Sequence, residues 1–178
     1  MNDSSKPEVS NVPTHSAKRH ILSALGVSVI LILFAMGGLV TWQILKFHQH
    51  RQATRRMEIA ITRLAFHRPE NLTDDQWAYC ILLTWNLQTG YAHPSYIPTE
   101  EIERICAELE VRIDAGPDLA TIDWFWDEYY RVYPPTQSNE WMRPTTADNR
   151  EQFEAGAHGG HPLSYWQTKF KRLSKSVN

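Results

Sequence analysis

Apolar positions fall along the chain as one long unbroken run followed by several short periodic ones. The long run, "ILSALGVSVILILFAMGGLVTWQIL", covers Ile21 to Leu45 without a single Asp, Glu, Lys or Arg. About twenty such residues in a helix cross a bilayer core, and a helix satisfies every backbone polar group internally, as hydrocarbon demands. Lys18 and Arg19 precede the run and Lys46 follows it. Trp42 stands near its far end, where indole settles at the membrane interface. With Arg51, these are the expected membrane-interface residues. Helices of soluble cores rarely run so long without charge. A cleaved signal peptide would use Lys18-Arg19 as its basic end and Ala35-Met36-Gly37 as its cleavage pattern. Signal cores span roughly 7–15 apolar residues, whereas this run continues to Leu45, so a membrane helix is the expected reading. Gly37-Gly38 and the Ala24/Ser28 pair offer small surfaces to another helix, but no GxxxG motif is present within the run.

Beyond the run the pattern becomes that of a small helical protein. No Gly or Pro occurs between Gly38 and Pro69, so the membrane helix is expected to continue as a stalk, with Met57, Ile61 and Leu64 recurring on one face. Thr73 and Gln76 form a capping box, Asp74 and Asp75 suit a helix N-terminus, and Leu72 can staple to Trp77. The apolar stretch from Trp77 to Leu87 is too short to cross a membrane and reads as the central, buried helix. Asn71-Leu72-Thr73 is also a glycosylation sequon, but capping accounts for Thr73. Thr99 is expected to cap a third helix, with Ile102, Ile105, Cys106, Leu109 and Ile113 inward. Glu100 to Arg104 and Glu108 to Arg112 are its outward i,i+4 pairs, and Gly116-Pro117 ends it. Asp118 caps the next helix, where Ile122, Phe125, Trp126, Tyr129 and Tyr133 make a core stripe. Asp127 can pair there with Arg131. Trp124 and Tyr130 fall off the stripe, as partner-binding aromatics do. Residues 136–162 read as a long loop with a helical turn or two around Asp148 to Ala155. Residues 163–178 form a basic amphipathic segment that first docks on its own domain. Its Trp166, Lys169 and Arg172 are further candidate partner contacts.

The expected fold is therefore all-α: one N-terminal transmembrane helix, a basic stalk helix, and a small domain of about four helices. The segments are a flexible tail (1–20), the transmembrane helix (21–45), a basic juxtamembrane stalk (46–68), an acidic helical domain (69–135), the long loop (136–162) and the basic C-terminal segment (163–178).

Charge sharpens this division. The net charge is −2, but residues 46–68 carry six Arg or Lys against one Glu, and residues 69–135 carry thirteen acids against three bases. A basic collar favours anionic lipid, while the acidic part would repel nucleic acid. Within twenty residues of the run, three bases (Lys6, Lys18, Arg19) precede it and five (Lys46, Arg51, Arg55, Arg56, Arg63) follow. The positive-inside rule then favours a cytoplasmic C-terminal domain.

Chemistry is sparse. Cys80 and Cys106 sit singly on apolar faces, without CxxC spacing. His158 and His161 in "HGGHP" form the one local histidine cluster and are weak metal candidates, lacking a third ligand nearby. No HExxH, GxSxG, P-loop or GxGxxG motif occurs, so neither catalysis nor a cofactor is expected. The expected partners are the lipid bilayer and another protein, with the oligomeric state open. The favoured role is a membrane-anchored interaction module or a small subunit of a membrane assembly. The alternative is a membrane-bound enzyme or metal-binding protein using the His158–His161 loop.

Overall fold

A computed structural model describes the backbone of residues 15–91, 97–132, 143–155 and 161–175, and their side chains from residue 27 onward apart from 90–91 and 147–148. Among the described residues the chain holds six α-helices and no strand. It divides into two compact units, Met1–Lys46 and Phe47–Asn178.

The first helix, α1, runs unbroken from His15 to Arg63. The last residues of the expected tail are thus helical, Lys18 and Arg19 lie in its opening turns, and span and stalk form one helix. Residues 1–14 of that tail lie outside the described residues. In the first unit every described side chain, from Val27 to Lys46, is exposed. The Thr41 hydroxyl donates back to the Gly37 carbonyl at 2.8 Å, and the Lys46 ammonium sits 4.3 Å from the Trp42 ring centroid.

In the second unit the pattern inverts. Ala53, Met57, Ala60, Ile61 and Leu64 form a fully buried stripe on the second part of α1, the i, i+4, i+7, i+8, i+11 spacing of a helix face against a core. The helix tightens into a 3₁₀ turn at Leu64–Phe66 and ends there rather than at Pro69. Helix α2 (Asp74–Asn86) begins with the expected capping box: Gln76 N–H donates to Thr73 Oγ1 at 3.2 Å, and Thr73 N–H donates to Gln76 Oε1 at 2.9 Å. Trp77 to Ile81, Leu83 and Thr84 are buried, so α2 is the central helix, and it widens into a π turn at Leu87–Tyr91. Part of the loop that follows, residues 92–96, lies outside the described residues.

Helix α3 spans Thr99–Ala115 with the five expected residues inward. Thr99 does not cap it. Pro98, whose side chain has no hydrogen-bonding atom, stands at the cap position, and the Thr99 hydroxyl faces His50 Nδ1 at 3.1 Å. Gly116 ends α3 at φ +96°, which a side chain would strain. Helix α4 (Leu119–Val132) opens on Asp118, whose carboxylate accepts from Thr121 N–H at 2.9 Å. Ile122, Phe125, Trp126 and Tyr129 are buried as the periodicity requires; Tyr133 lies outside the described residues.

The expected loop contains helix α5 (Ala147–Glu154). Four polar contacts hold this region down. The Tyr79 hydroxyl of α2 lies 3.2 Å from Asn149 Oδ1 and 3.0 Å from Gln152 Oε1, and Arg143 grips α4 through Asp123 and Asp127 at 2.9 and 2.8 Å. The eight residues of α5 are the helical turn or two expected around Asp148 to Ala155.

Helix α6 (Leu163–Lys175) docks on its own domain with Leu163, Trp166 and Leu173 buried. Gln167 Nε2 donates to the Ala65 carbonyl at 3.0 Å, and Phe170 meets Phe66 edge-on at 5.3 Å.

Trp77 joins the stalk to the central helix: its ring is fully buried, and its indole N–H donates to the Leu64 carbonyl at 2.7 Å. Trp77→Ala is expected to destabilise the folded unit by about 3–5 kcal/mol and Trp77→Phe by about 0.5–1.5 kcal/mol through the lost hydrogen bond, since the Leu64 carbonyl keeps the His67 N–H at 3.0 Å. Urea unfolding of the full chain in mild detergent, followed by far-UV circular dichroism, measures both.

Candidate functional site

Two surfaces of the second unit carry concentrated chemistry: the outer side of the α3–α4 pair, and α6.

On α3 and α4 four charged residues form a closed network. Arg104 bonds Glu101 at 2.9 Å and also Glu128, while Arg131 bonds Glu101 at 2.8 Å and Glu128 at 3.0 Å. The sequence pairing of Glu100 with Arg104 and of Asp127 with Arg131 does not occur. Each guanidinium reaches two carboxylates in this network, and Asp127 goes to Arg143. Glu108 and Arg112 do pair, at 3.0 Å. Hydrogen bonds from Arg104, then Arg131, hold the carboxyls of Glu101 and Glu128 below the usual carboxylate range.

Arg112 also covers the Trp124 ring, 4.3 Å from its centroid, and Tyr130 meets Trp126 edge-on at 5.6 Å. Trp124 and Tyr130 are half-buried and pack against the core.

On α6, Lys169 lies among three rings: its ammonium is 3.8 Å from the Trp85 centroid, 5.3 Å from Trp166 and 5.6 Å from Tyr165. Trp166 itself is only 1% exposed, so its ring faces the protein and is not offered to a partner here. His161 stacks on Tyr165 at 4.0 Å. His158 lies outside the described residues, and among the described residues no group of three potential metal-ligating side chains comes together.

Charge pairing separates these surfaces further. From Arg55 to Arg150, every arginine whose side chain is described takes part in an ion pair. Among the described residues Lys171, Arg172 and Lys175 form none, and all three are exposed. Arg51 is exposed and without an ion pair on the same terms. The sequence shows α6 as basic; that its cations are the ones left over emerges only once the others find carboxylates.

Cys80 and Cys106 are free and buried. Burial pushes both thiols up to about 12, aided at Cys106 by the neighbouring Glu110 carboxylate. Neither is a nucleophile near neutral pH. The hydroxyl of Thr84 and the amide oxygen of Gln88 are buried without a hydrogen-bond partner among the described residues.

No protein-family model matches the chain, and no curated protein or solved structure resembles it.

Both thiols are expected to resist maleimide at pH 8 in the folded chain and to react fully in denaturant, which mass spectrometry counts directly. Raised thiol values also fix a sign. The stabilisation is complete below the ordinary thiol value near 9 and fades as pH climbs from there through about 12. The thermal midpoint should therefore hold steady from pH 7 to 8.5 and fall above 9.

Proposed function

We propose that the chain is a single-pass membrane protein whose helical unit serves as an interaction module held beside the bilayer. The observation that carries the reading is the bare stretch of α1. From Val27 to Leu45 it bears no charged side chain and buries none of its surface against protein. Exposed apolar surface on this scale has no place in water, and a helix of this length fits a hydrocarbon core. Trp42, with the Lys46 ammonium over its ring, marks the interfacial end, because indole and ammonium both favour the headgroup level. The excess of bases after the run supports a cytoplasmic position for the helical unit.

An interaction role fits the second unit better than catalysis. Its acids and bases mostly neutralise one another, its thiols are buried and protonated, and the polar surface left over is a set of unpaired charges. The alternative of an enzyme or metal site at His158–His161 has His161 in support only as a half-buried ring stacked on Tyr165.

The test is extraction of membranes at alkaline pH. The chain should stay in the pellet, and Ile32→Arg with Phe34→Arg should release it, since each arginine at mid-bilayer costs about 2.5–3.5 kcal/mol on insertion scales. Release of the unaltered chain would defeat the anchor. Protease added to sealed vesicles of known sidedness then reports the face on which Phe47–Asn178 stands.

A further inference from the structure

Once the core and the ion pairs are formed, two outward stripes of the helical unit remain, and they match. On α6 the face opposite Leu163, Trp166 and Leu173 carries Ser164, Thr168, Lys171, Arg172 and Lys175, all exposed. Its cations crowd the C-terminal half and its small hydroxyl residues the N-terminal half. No acidic residue occurs anywhere on the helix.

On α3 the face opposite its buried residues carries Glu100, Glu103, Ala107 and Val111, also all exposed. Among the described residues Glu100 and Glu103 form no ion pair. Val111 is 63% exposed; among the described residues of the second unit, the other exposed large apolar side chains are Phe47, at the unit's first residue, and Phe66. Arg104, the cation on the edge of this stripe, is already held by Glu101 and Glu128.

Each stripe runs over twelve residues, roughly 16 Å of helix axis from first to last. Laid antiparallel, Lys175 faces Glu100, Lys171 and Arg172 face Glu103, Thr168 faces Ala107, and Ser164 faces Val111. The spacing i, i+3/4, i+7, i+11 is the one by which helices pack along a shared seam. The small residues at one end permit close approach, and the opposite charges at the other fix direction and register.

We infer that α6 of one copy packs antiparallel on α3 of a second copy, so that the protein associates with itself through this seam. The inference deepens the interaction-module reading and rests on it for the partner's abundance, since anchored copies share one membrane. A lipid surface is the less favoured occupant. The apolar face of α6 is already spent on its own domain, which denies it the insertion an interfacial helix relies on.

The test uses full-length protein reconstituted into lipid vesicles, where copies share one membrane, with the mass read after chemical cross-linking at low and high salt. The unaltered chain is expected to run at a multiple of the single-chain mass at low salt and to shift toward one chain at 0.5 M salt, where screening shortens the reach of charge to about 4 Å. Reversing the cations (Lys171→Glu, Arg172→Glu, Lys175→Glu) should weaken association by roughly tenfold or more. Reversing the acids (Glu100→Lys, Glu103→Lys) should do the same, and both variants should keep the parental circular dichroism. Mixing the two variants should restore the multiple, because each then offers the other a complementary stripe at both seams. A single-chain mass for the unaltered protein, an assembly indifferent to either reversal, or a mixture that stays apart would each overturn the inference. Alkaline extraction on the same preparations separates the two failures: a chain that stays in the membrane but runs alone defeats the seam only. One that assembles but leaves the membrane defeats only the anchor.

Discussion

The carbonyl end of α1 is the constraint on which the helical unit depends. A helix terminus leaves its last carbonyls without intrahelical partners, and here that terminus is buried, with Leu64 and Ala65 inside the core. Exposed ends turn to water; this one turns to side chains. The Trp77 indole satisfies Leu64 from α2, and the Gln167 amide satisfies Ala65 from α6. Arg68 reaches round to the Leu72 carbonyl just before α2. The Leu64 carbonyl also accepts from the His67 N–H at 3.0 Å, so the side-chain bonds add to a backbone one and tie α2 and α6 to the stalk. The Phe66–Phe170 contact and the burial of Trp166 then follow from that placement.

Charge is arranged by the same logic one layer out. Individual exposed ion pairs contribute only about 0–1 kcal/mol, and most pairs here are partly exposed. Their effect is on geometry. Arg56 with Glu110 and Arg63 with Asp114 run along the α1–α3 junction, the Glu101–Arg104–Glu128–Arg131 network ties α3 to α4, and Arg143 draws the chain back onto α4. The basic stalk and the acidic middle are thus complementary parts of one unit. The segregation read from the sequence as a sign of an external partner is largely consumed inside the domain; the described residues that form no ion pair include Arg51, the cations of α6, and Glu100 and Glu103 on the outer edge of α3.

Periodic elements were legible from sequence because a buried stripe leaves a trace at 3.6-residue spacing. The inward faces of α3 and α4, the capping box before α2 and the docking face of α6 all carry such a trace. Features held by single polar contacts carry none. The contacts of Tyr79 with Asn149 and of Arg143 with Asp123 join residues seventy and twenty apart in the chain, and Thr99 turns from capping α3 to meeting His50 across forty-nine. The candidate surfaces show the same divide. Trp166 reads as a partner-binding aromatic because the C-terminal segment is amphipathic, but an amphipathic helix spends its aromatics on whichever face docks first, and this one docks at home. Lys169 follows it among the rings. The residual cations become visible only by subtraction, after every other arginine from Arg55 to Arg150 has found its carboxylate.

Weak surface pairing and membrane anchoring are physically suited to one another. Two or three ion pairs at about 0.2–1 kcal/mol each, with little apolar area beyond Val111 and Ala107, would not hold freely diffusing copies together against the loss of translational and rotational freedom, which runs to at least several kcal/mol. Anchored chains have already lost part of that freedom to the bilayer, and confinement raises the effective concentration of each copy for its neighbours in the way a short linker does. A seam too weak to act in solution then becomes selective on a membrane, where its strength is set by surface density and ionic strength. The charge left unspent on α6 and α3 is consistent with that regime: enough to orient neighbours, and too little to hold together chains away from the membrane.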